Sequence, residues 1–558
     1  IGTDQKKIPE ISHGLQEVGI YRKCFTVPRN FAEREIFLHF GALKSAAEIS
    51  VNGHYVGYTL GSMTPHEFNV TKYLVEGENI VVATVYRYSV GTYFEDQDMW
   101  FLSGIYRDVF LYAESPLAVR DIFACADLDQ AYENGSLTVT LKLNNFRGIS
   151  NASISVFLFE TQQNIGDRTL SGDEDEVVFS AEIPTPAKWS PEFPSLYTVV
   201  IALTIDGVTE YKSVKVGFKK IEIHGNVLRL NGKRLLLRGV NRHDYHPETG
   251  WAVPYETYLQ DLTFMKQWNI NAIRTSHYPN DPRLYELCDK MGILVMDECD
   301  METHGVRTKN IPGNDPRWTP HVLDRMSRMI LRDRNHPCVF MWSLGNEAGS
   351  GSNFFKMKTL ANTLDPTRPV HYEGYIHQDA TDVISRMYPK KDNIEAMAEK
   401  RIPYNGISAM MNKLITNSAE FPLELYETMP VIFCEYAHAM ENSLGNFKEH
   451  MDIMEAHDHM AGAFIWDFVD QAILRKTKDG SEWLYGDDFA EIYNKENGLK
   501  SKSGVGSNSY FCANGIIGAD RIPHPAAAEV KKVYQTIKVR EKNLSEGQFV
   551  LRNLQMFT

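Results

Sequence analysis

The chain has 558 residues, of which 43% are apolar and 23% are charged. At about 150 residues per domain this length predicts three or four domains, and the composition is that of globular proteins rather than of disordered ones. Lys and Arg total 58 against 72 for Asp and Glu, so the net charge is −14. Because nucleic-acid binders carry a basic surface, this balance argues against a nucleic-acid partner and against polyanionic ligands.

The lengths of the apolar runs and the spacing of the cysteines exclude further classes of protein. The longest apolar runs, such as Tyr197–Leu203, are far shorter than the roughly 20 residues that span a bilayer, so we expect no membrane protein. Seven scattered cysteines include no C-x-x-C pair, which argues against a disulfide framework and a structural zinc site. The chain begins at Ile1, so a removed N-terminal signal stays open, and the compartment is cytoplasmic or periplasmic, with cytoplasmic slightly favoured.

Residues 1–115 and 116–219 both consist of short runs with an apolar period of two, bounded by turn residues such as Asn52-Gly53. This pattern predicts two antiparallel sandwiches of about 100 residues each. The clearest predicted strands are Ile36–Phe40, Ala47–Val51, Asn79–Tyr86, Ser136–Leu143, Ala152–Phe159 and Ser195–Ile205.

Residues 220–535 have a different pattern, in which apolar strands alternate with amphipathic helices, and this predicts a (β/α)8 barrel. One helix is expected at Tyr255–Trp268 with Leu259, Leu262 and Met265 on one face, and another between the N-cap Asp281 and Gly292. The eight predicted strands are Leu235–Val240, Ala272–Thr275, Ile293–Asp297, Val339–Leu344, Val370–Tyr372, Val383–Ser385, Val431–Cys434 and Ala463–Trp466.

Two further segments complete the chain. The Ser- and Gly-rich run Ser501–Ser509 predicts a mobile loop. Over residues 536–558 the period returns to two, which predicts the start of a further sandwich that is cut off at Thr558. We therefore expect the chain to be a fragment of a longer protein.

Polar residues follow the predicted barrel strands more often than chance allows. In such a barrel the carboxyl ends of the strands face the active site, so these residues would meet at one mouth. In chain order they are Asn241–His243, Arg274–His277, Asp297–Glu298 with Glu302–His304, Asn346–Glu347, Met387–Tyr388, Glu435–His438 and Trp466–Asp467.

Glu347 and Glu435 follow the apolar strands four and seven, which lie on roughly opposite sides of a barrel. Two carboxyl groups across one pocket are the equipment of glycoside hydrolysis, in which one acid is protonated and the other is ionised. The alternative is that each is a solvated or salt-bridged loop acid. Asn346 and Tyr388, as expected hydrogen-bonding neighbours, favour the catalytic interpretation.

Aromatic and histidine side chains at the same mouth suit a sugar ligand. Trp466 offers a flat apolar face for a sugar ring, although a buried core tryptophan is an equal alternative. His243, His277 and His438 could bind sugar hydroxyls, but each taken singly is more often a structural histidine.

A metal site is the third feature of this mouth. Glu302 and His304 point to the same side of an extended segment, and with Glu347 they would form an oxygen-rich site that suits Mg²⁺ better than zinc. The sequence contains no H-E-x-x-H, which argues against a zinc hydrolase. Spacing alone indicates this metal site only weakly.

The same residues lie in long motifs that resemble a known family. The motifs similar to glycoside hydrolase family 2 are Arg238–His243, Thr275–Asn280, Asp297–Glu298, Glu302–Gly305, Arg332–Pro337 and Trp342–Glu347. Those that resemble its bacterial β-galactosidase branch are Cys434–Met440, Asn442–Gly445, Ile465–Asp467, Glu95–Trp100 and Ser103–Asp108.

This resemblance implies a β jelly-roll domain, an immunoglobulin-like β-sandwich and a catalytic (β/α)8 TIM barrel. It implies that Glu347 is the acid/base and Glu435 the nucleophile of a retaining exo-β-galactosidase, which hydrolyses terminal β-D-galactosyl residues of small or oligosaccharide substrates. Retention requires the two carboxyl groups to be about 5–5.5 Å apart. A homo-oligomer is left open.

The resemblance also implies two cations and a sugar site. Glu302, His304 and Glu347 would hold Mg²⁺, and Asp98, the main-chain carbonyl of Phe511, and Asn514 would hold Na⁺. The galactose site would be lined by Asp98, His243, His277, Asn346, Met387, Tyr388, His438, Trp466 and Asn514.

Two positions depart from the family pattern. Gln16–Gly19 stands where an Asn-Pro-Thr-Gly segment often carries an asparagine near the sugar, so a sugar contact from this loop is not expected. Glu441 replaces a common glycine and is expected to alter the loop that follows the nucleophile.

Other functions remain as alternatives. A β-glucuronidase or another family 2 exo-glycosidase is the first, but no Asn-x-Lys element is found where it is expected, and Asp98 would repel a sugar carboxylate. A catalytically inactive carbohydrate-binding protein is the second, and the presence of both carboxylates argues against it.

Overall fold

The computed structural model describes residues 8–11, 16–115, 117–144, 151–170, 174–403, 421–486, 488, 495 and 512–558. The predicted loop Ser501–Ser509 and the predicted Na⁺ ligand Phe511 lie outside these residues. Within the described ranges no helix is both long and apolar enough to cross a membrane.

The first unit is an antiparallel sandwich, as predicted. Its main sheets have the strand orders β1-β7-β4-β5 and β6-β2-β9, and β3 pairs with β8. Asn52 and Gly53 join β4 to β5 with φ angles of 53° and 81°, which is the geometry of a type I′ hairpin turn. The strands are β1 (Val18–Thr26), β2 (Glu35–Phe40), β3 (Leu43–Lys44), β4 (Ala46–Val51), β5 (His54–Leu60), β6 (His66–Asn69), β7 (Glu78–Tyr86), β8 (Gly104–Ile105) and β9 (Val109–Glu114).

The second unit is also an antiparallel sandwich, with strand orders β10-β11-β14 and β13-β12-β15-β16. Burial alternates strictly along Ala152–Leu158, because successive side chains of a strand point to opposite faces. The strands are β10 (Ala118–Leu128), β11 (Gly135–Asn144), β12 (Ala152–Leu158), β13 (Gln163–Leu170), β14 (Glu176–Ile183), β15 (Tyr197–Ile205) and β16 (Val208–Val216).

A small sheet leads into the third unit, in which eight parallel strands have the order β24-β23-β22-β21-β20-β27-β26-β25. The connecting strands are β17 (Ile221–His224), β18 (Val227–Leu230) and β19 (Lys233–Arg234). The eight strands are β20 (Leu237–Asn241), β21 (Ala272–Arg274), β22 (Leu294–Glu298), β23 (Val339–Ser343), β24 (Val370–His371), β25 (Ile384–Met387), β26 (Val431–Tyr436) and β27 (Met460–Ile465).

This sheet is the predicted (β/α)8 barrel. At Gly462, where φ is 111°, an added Cβ would lie 2.2 Å from the carbonyl oxygen of Leu237, so glycine permits β27 to pair with β20. The order ends at β24 and β25, and in the described chain these two strands do not pair with each other. The helices are α1 (Tyr255–Gln267), α2 (Pro282–Met291), α3 (Thr319–Asp333), α4 (Ser352–Leu364), α5 (Lys391–Ala398), α6 (Phe447–Ala456) and α7 (Pro525–Val533).

Two of the predicted helices show where sequence patterns succeed and fail. The α2 helix begins and ends as predicted, because the Asp281 side chain accepts a hydrogen bond from the Arg283 amide and Gly292 has a left-handed φ of 70°. Of the three residues predicted on one face of α1, Leu262 and Met265 are buried, whereas the Leu259 side chain is exposed. Tyr258 and Asp261 complete the buried face of α1, which leaves Leu259 outside it.

The remaining described elements are two hairpins and several short 3₁₀ helices. One hairpin follows the barrel, and the other lies in the predicted further sandwich with largely exposed strands. The boundaries at residues 115, 219 and 535 stay predictions. The hairpin strands are β28 (Ile473–Thr477), β29 (Gly480–Leu484), β30 (Ile537–Asn543) and β31 (Gln548–Asn553), and the 3₁₀ helices are Arg29–Phe31, Thr71–Tyr73, Val90–Phe94, His304–Lys309, Leu423–Glu427 and Leu544–Glu546.

Candidate active site

The predicted site residues of the barrel gather at the carboxyl ends of its strands. Met387 is the last residue of β25, and Glu435 is the last but one of β26, so both strands extend beyond their predicted ends. Trp466 directly follows β27, which ends at Ile465 rather than including the tryptophan.

Both carboxylate oxygens of Glu435 are held by neighbouring donors. Arg274 Nη1 donates to Oε1 at 2.9 Å, and the Tyr388 hydroxyl donates to Oε2 at 2.5 Å. Burial and the Glu435 carboxylate raise the pKa of Tyr388 well above its usual value, so its hydroxyl stays protonated and donates. The carboxylate is therefore fixed in one orientation.

Arg274, which ends β21, connects most of this mouth although no role was predicted for it. Its guanidinium donates to both oxygens of Glu298 at 2.8 and 2.9 Å, to Asn241 at 3.1 Å and to Asn346 at 3.0 Å. Burial acts against the charged form of Glu298, but Arg274 and His277 outweigh it and lower its pKa. A fully buried arginine must be paired, and this requirement was the available signal that Arg274 and Glu298 belong together.

Three aromatic rings pack around this network. Trp466 stacks on His277 with centroids 5.1 Å apart, and His243 meets each of them edge to face. Trp466 is only 4% exposed, so the tryptophan is buried and still lies at the strand end. His438 packs against Tyr388, with its ring centroid 5.5 Å from that of Tyr388.

His243 has one ring nitrogen near a partner and one without. Its Nδ1 lies 3.3 Å from the Tyr278 hydroxyl, and its buried Nε2 has no hydrogen-bond partner among the described residues. Burial lowers the pKa of His243 well below its usual value. The imidazole is therefore neutral, and its Nε2 can bind a hydroxyl group.

Glu302, His304 and Glu347 form an acidic cluster beside this network, with one potential ligand atom from each within 4.8 Å of the others. Asn346, which accepts from Arg274, donates to Glu302 Oε2 at 3.0 Å. His304 Nε2 lies 3.5 Å from Glu347 Oε2, and Asp98 Oδ2 lies 3.5 Å from His304 Nδ1. Burial, together with the charges of Glu347 and Asp98, raises the pKa of Glu302 well above its usual value. Two carboxylates and an imidazole in this state fit a hard divalent cation such as Mg²⁺.

Asn514 and Asp98 are the two predicted Na⁺ ligands that lie within the described residues. The Asn514 side-chain oxygen is buried and has no hydrogen-bond partner in the described part of the chain, while its main-chain oxygen accepts from the Asp467 amide at 2.9 Å. An unpartnered buried amide oxygen fits a cation ligand. The third predicted ligand, Phe511, lies outside the described residues.

The structure describes both positions that depart from the family pattern, Gln16 and Glu441. The Gln16 side chain donates to the Tyr88 carbonyl at 2.7 Å and accepts from its amide at 3.0 Å, so it fastens its own loop. Glu441 is exposed and has a left-handed φ of 57°, a conformation that glycine adopts at lower cost.

Comparison with protein-family models gives three matches along the chain. The family 2 sugar binding domain matches residues 5–115, the domain named Glycosyl hydrolases family 2 matches 117–219, and the family 2 TIM barrel domain matches 221–539. The chain belongs to glycosyl hydrolase family 2.

Curated relatives in this family are longer than the chain. It is 40% identical over 555 residues to a beta-galactosidase of Vibrio cholerae serotype O1, and 38% identical over 563 residues to one of Priestia megaterium. Each alignment covers 97% of this chain and 51% of the relative. This family 2 chain therefore spans about half the length of the curated relatives that it matches.

Solved structures share the family 2 fold at lower identity. A Bifidobacterium dentium beta-glucuronidase complexed with coumarin-3-O-glucuronide has a TM-score of 0.70 and 21% identity, over 93% of this chain and 88% of that one. A Bacteroides uniformis beta-glucuronidase has a TM-score of 0.70 and 20% identity, over 94% of this chain and 64% of that one. These likenesses show the fold.

Proposed function

We propose that the chain carries the catalytic barrel of a retaining exo-β-galactosidase. The observation that carries this proposal is the fixed Glu435 carboxylate, bound by Arg274 and Tyr388 at a mouth that also holds Glu347. The curated relatives named beta-galactosidase, which match 97% of the chain, support the sugar specificity.

The proposed reaction has two steps. In the first, Glu435 attacks the anomeric carbon of a terminal β-D-galactosyl residue while Glu347 protonates the leaving oxygen, which forms a covalent galactosyl ester and releases the aglycone. In the second, ionised Glu347 takes a proton from water, the water oxygen attacks the anomeric carbon, and the ester bond to Glu435 breaks. Two inversions give net retention.

The surrounding residues take supporting roles in this proposal. Arg274 and Tyr388 orient Glu435, Trp466 and His277 form an aromatic wall, and the neutral His243 binds a sugar hydroxyl. Asn346, Met387 and His438 complete the lining of the galactose site.

Two cations are part of the proposal. Glu302, His304 and Glu347 would hold Mg²⁺, and Asp98, the Phe511 carbonyl and Asn514 would hold Na⁺. Burial and then repulsion by Glu347 raise the pKa of Glu302. Mg²⁺, when bound, would supply positive charge beside Glu347 that offsets this repulsion.

The test is hydrolysis of an aryl β-D-galactoside beside the matching β-D-glucuronide, each with and without Mg²⁺. We expect turnover of the galactoside alone, stimulated by Mg²⁺, because the Asp98 carboxylate would repel the carboxylate of a glucuronide. Turnover of the glucuronide alone would contradict the galactosidase proposal and favour the alternative. The cytoplasmic or periplasmic location and a homo-oligomer stay predictions.

A further inference from the structure

A segment of the first sandwich pairs with the barrel at its mouth. The Glu302 amide donates to the Phe94 carbonyl at 2.7 Å, and the Asp96 amide donates to the Glu302 carbonyl at 3.2 Å. Glu95 thereby pairs in parallel with Glu302, which pairs in parallel with Asn346. Residues 94–96 are thus the outer strand of a three-segment ladder that carries the acidic cluster.

Arg325 of helix α3 connects this segment to the barrel through buried hydrogen bonds. Its Nη2 donates to Glu95 Oε1 at 2.6 Å, and its Nη1 donates to Asp300 at 2.7 Å for Oδ2 and 2.8 Å for the carbonyl. All three side chains are at least 94% buried. Gly91 provides the space, since an added Cβ there would lie 3.0 Å from Arg325 Nη2.

The segment then continues directly to Asp98. Gln97 Nε2 donates to Asp300 Oδ1 at 3.0 Å, so Asp300 accepts hydrogen bonds from both Arg325 and the residue that precedes Asp98. Asp98 ends with its carboxylate 3.5 Å from His304. The path from Arg325 to Asp98 contains only buried hydrogen bonds and three peptide units.

We propose that Arg325 is a positioning residue, which bridges Glu95 and Asp300 and so fixes Asp98 of the first sandwich in the barrel mouth. This inference rests on the proposed function for the role of Asp98 in sugar binding. The bridge needs two charged hydrogen bonds in different directions from one side chain. Arginine supplies them from its planar fork, and lysine, as a single point charge, does not.

The first test is a double-mutant cycle of Arg325→Lys with Asp98→Asn. We expect Arg325→Lys alone to lower kcat/KM for the aryl galactoside about 10- to 100-fold, mainly through KM, and less than about 3-fold when Asp98 is already Asn. An equal loss in both backgrounds would mean a general structural effect and would overturn the inference.

The second test does not depend on turnover. We expect Arg325→Lys to speed amide hydrogen exchange in peptides that cover residues 94–98, with strand β23 unchanged. Arg328→Lys is the matched control, because Arg328 lies one turn further on α3, pairs with Asp324 of the same helix and binds the first sandwich at the Pro65 carbonyl, at 3.1 Å, rather than at residues 94–98. Unchanged exchange at 94–98 would overturn the inference. Faster exchange in a chain that hydrolyses no galactoside would support it while the proposed function failed.

Discussion

At the barrel mouth Glu435 lies among hydrogen-bond donors, whereas Glu347 lies among other acids. Arg274 and Tyr388 occupy the two oxygens of Glu435, while the cluster around Glu347 includes Glu302, whose pKa is raised by burial and by the Glu347 charge. Similar side chains at the ends of two strands of one barrel thus have opposite surroundings. Such a difference is how one fold assigns a nucleophile and an acid to two carboxyl groups.

The largest effect on kcat is expected at Glu435, the carboxylate that is surrounded by hydrogen-bond donors. Glu435→Gln removes the proposed nucleophile and should lower kcat for an aryl β-D-galactoside by roughly 10⁴-fold or more. The exposed Glu424, changed to Gln, is the control that should leave kcat unchanged. Steady-state kinetics of both variants make the comparison, and an active Glu435→Gln enzyme would remove the distinction between the two carboxylates.

Removing the donor tests why Glu435 is oriented. Arg274→Met leaves Glu298 and Glu435 buried without their guanidinium, so unfolding free energy should fall by about 3–5 kcal/mol and kcat by roughly 100-fold or more. Urea denaturation and kinetics measure the two effects. Arg234, which binds main-chain carbonyls beyond the opposite end of β20, is the control: Arg234→Met should cost stability but spare kcat. If Arg274→Met also spared kcat, the orienting role would be wrong.

The acidic side is tested by its affinity for a cation. Glu302→Gln removes one proposed Mg²⁺ ligand charge and should weaken Mg²⁺ binding about 10- to 100-fold, as measured by calorimetric titration. Glu435→Gln changes the carboxylate that is bound by Arg274 and Tyr388, so this variant should bind Mg²⁺ as tightly as the unchanged chain. Equal losses in both variants would mean that the two sides are not distinct.

The smallest effect concerns the loop after the nucleophile. Glu441 has a left-handed φ of 57°, so Glu441→Gly should raise the unfolding free energy by about 1 kcal/mol without changing kcat. Glu33, exposed in the first sandwich with a φ of 61°, should respond in the same way when changed to Gly. A large change of kcat in Glu441→Gly alone would give the Glu441 side chain a role in the site.

The barrel strands could be located from the sequence because most of them contain a short apolar run that is fully buried, and polar residues after such runs indicated the mouth. The ends of β25 and β26 were placed too early, since β25 continues through Arg386 to Met387 and β26 through Glu435 to Tyr436, so that a charged residue lies inside each strand. In the described sheet β24 and β25 do not pair with each other. Whether the first and last strands of a sheet pair is decided by the whole barrel, so no short stretch of sequence predicts it.

Pairing across strands limited the prediction of the site. Arg274 and Glu298 were noted at strand ends, but their mutual contact depends on the register of β21 and β22, which one sequence does not specify. Leu262 and Met265 lie on the buried face of α1 as predicted, but Leu259, on the same apolar stripe, is exposed, because helical period alone does not show how wide the buried face is. There the buried Asp261 binds Arg242 at 2.9 Å, and this pair orients α1.

The most direct test of the proposed chemistry is to trap the covalent intermediate with an activated 2-deoxy-2-fluoro-β-galactoside, which slows the second step more than the first, and to map the labelled peptide by mass spectrometry. We predict a single fluorogalactosyl label, carried by Glu435. A label on Glu347, or inactivation without any label on Glu435, would contradict the assignment of the two carboxylates.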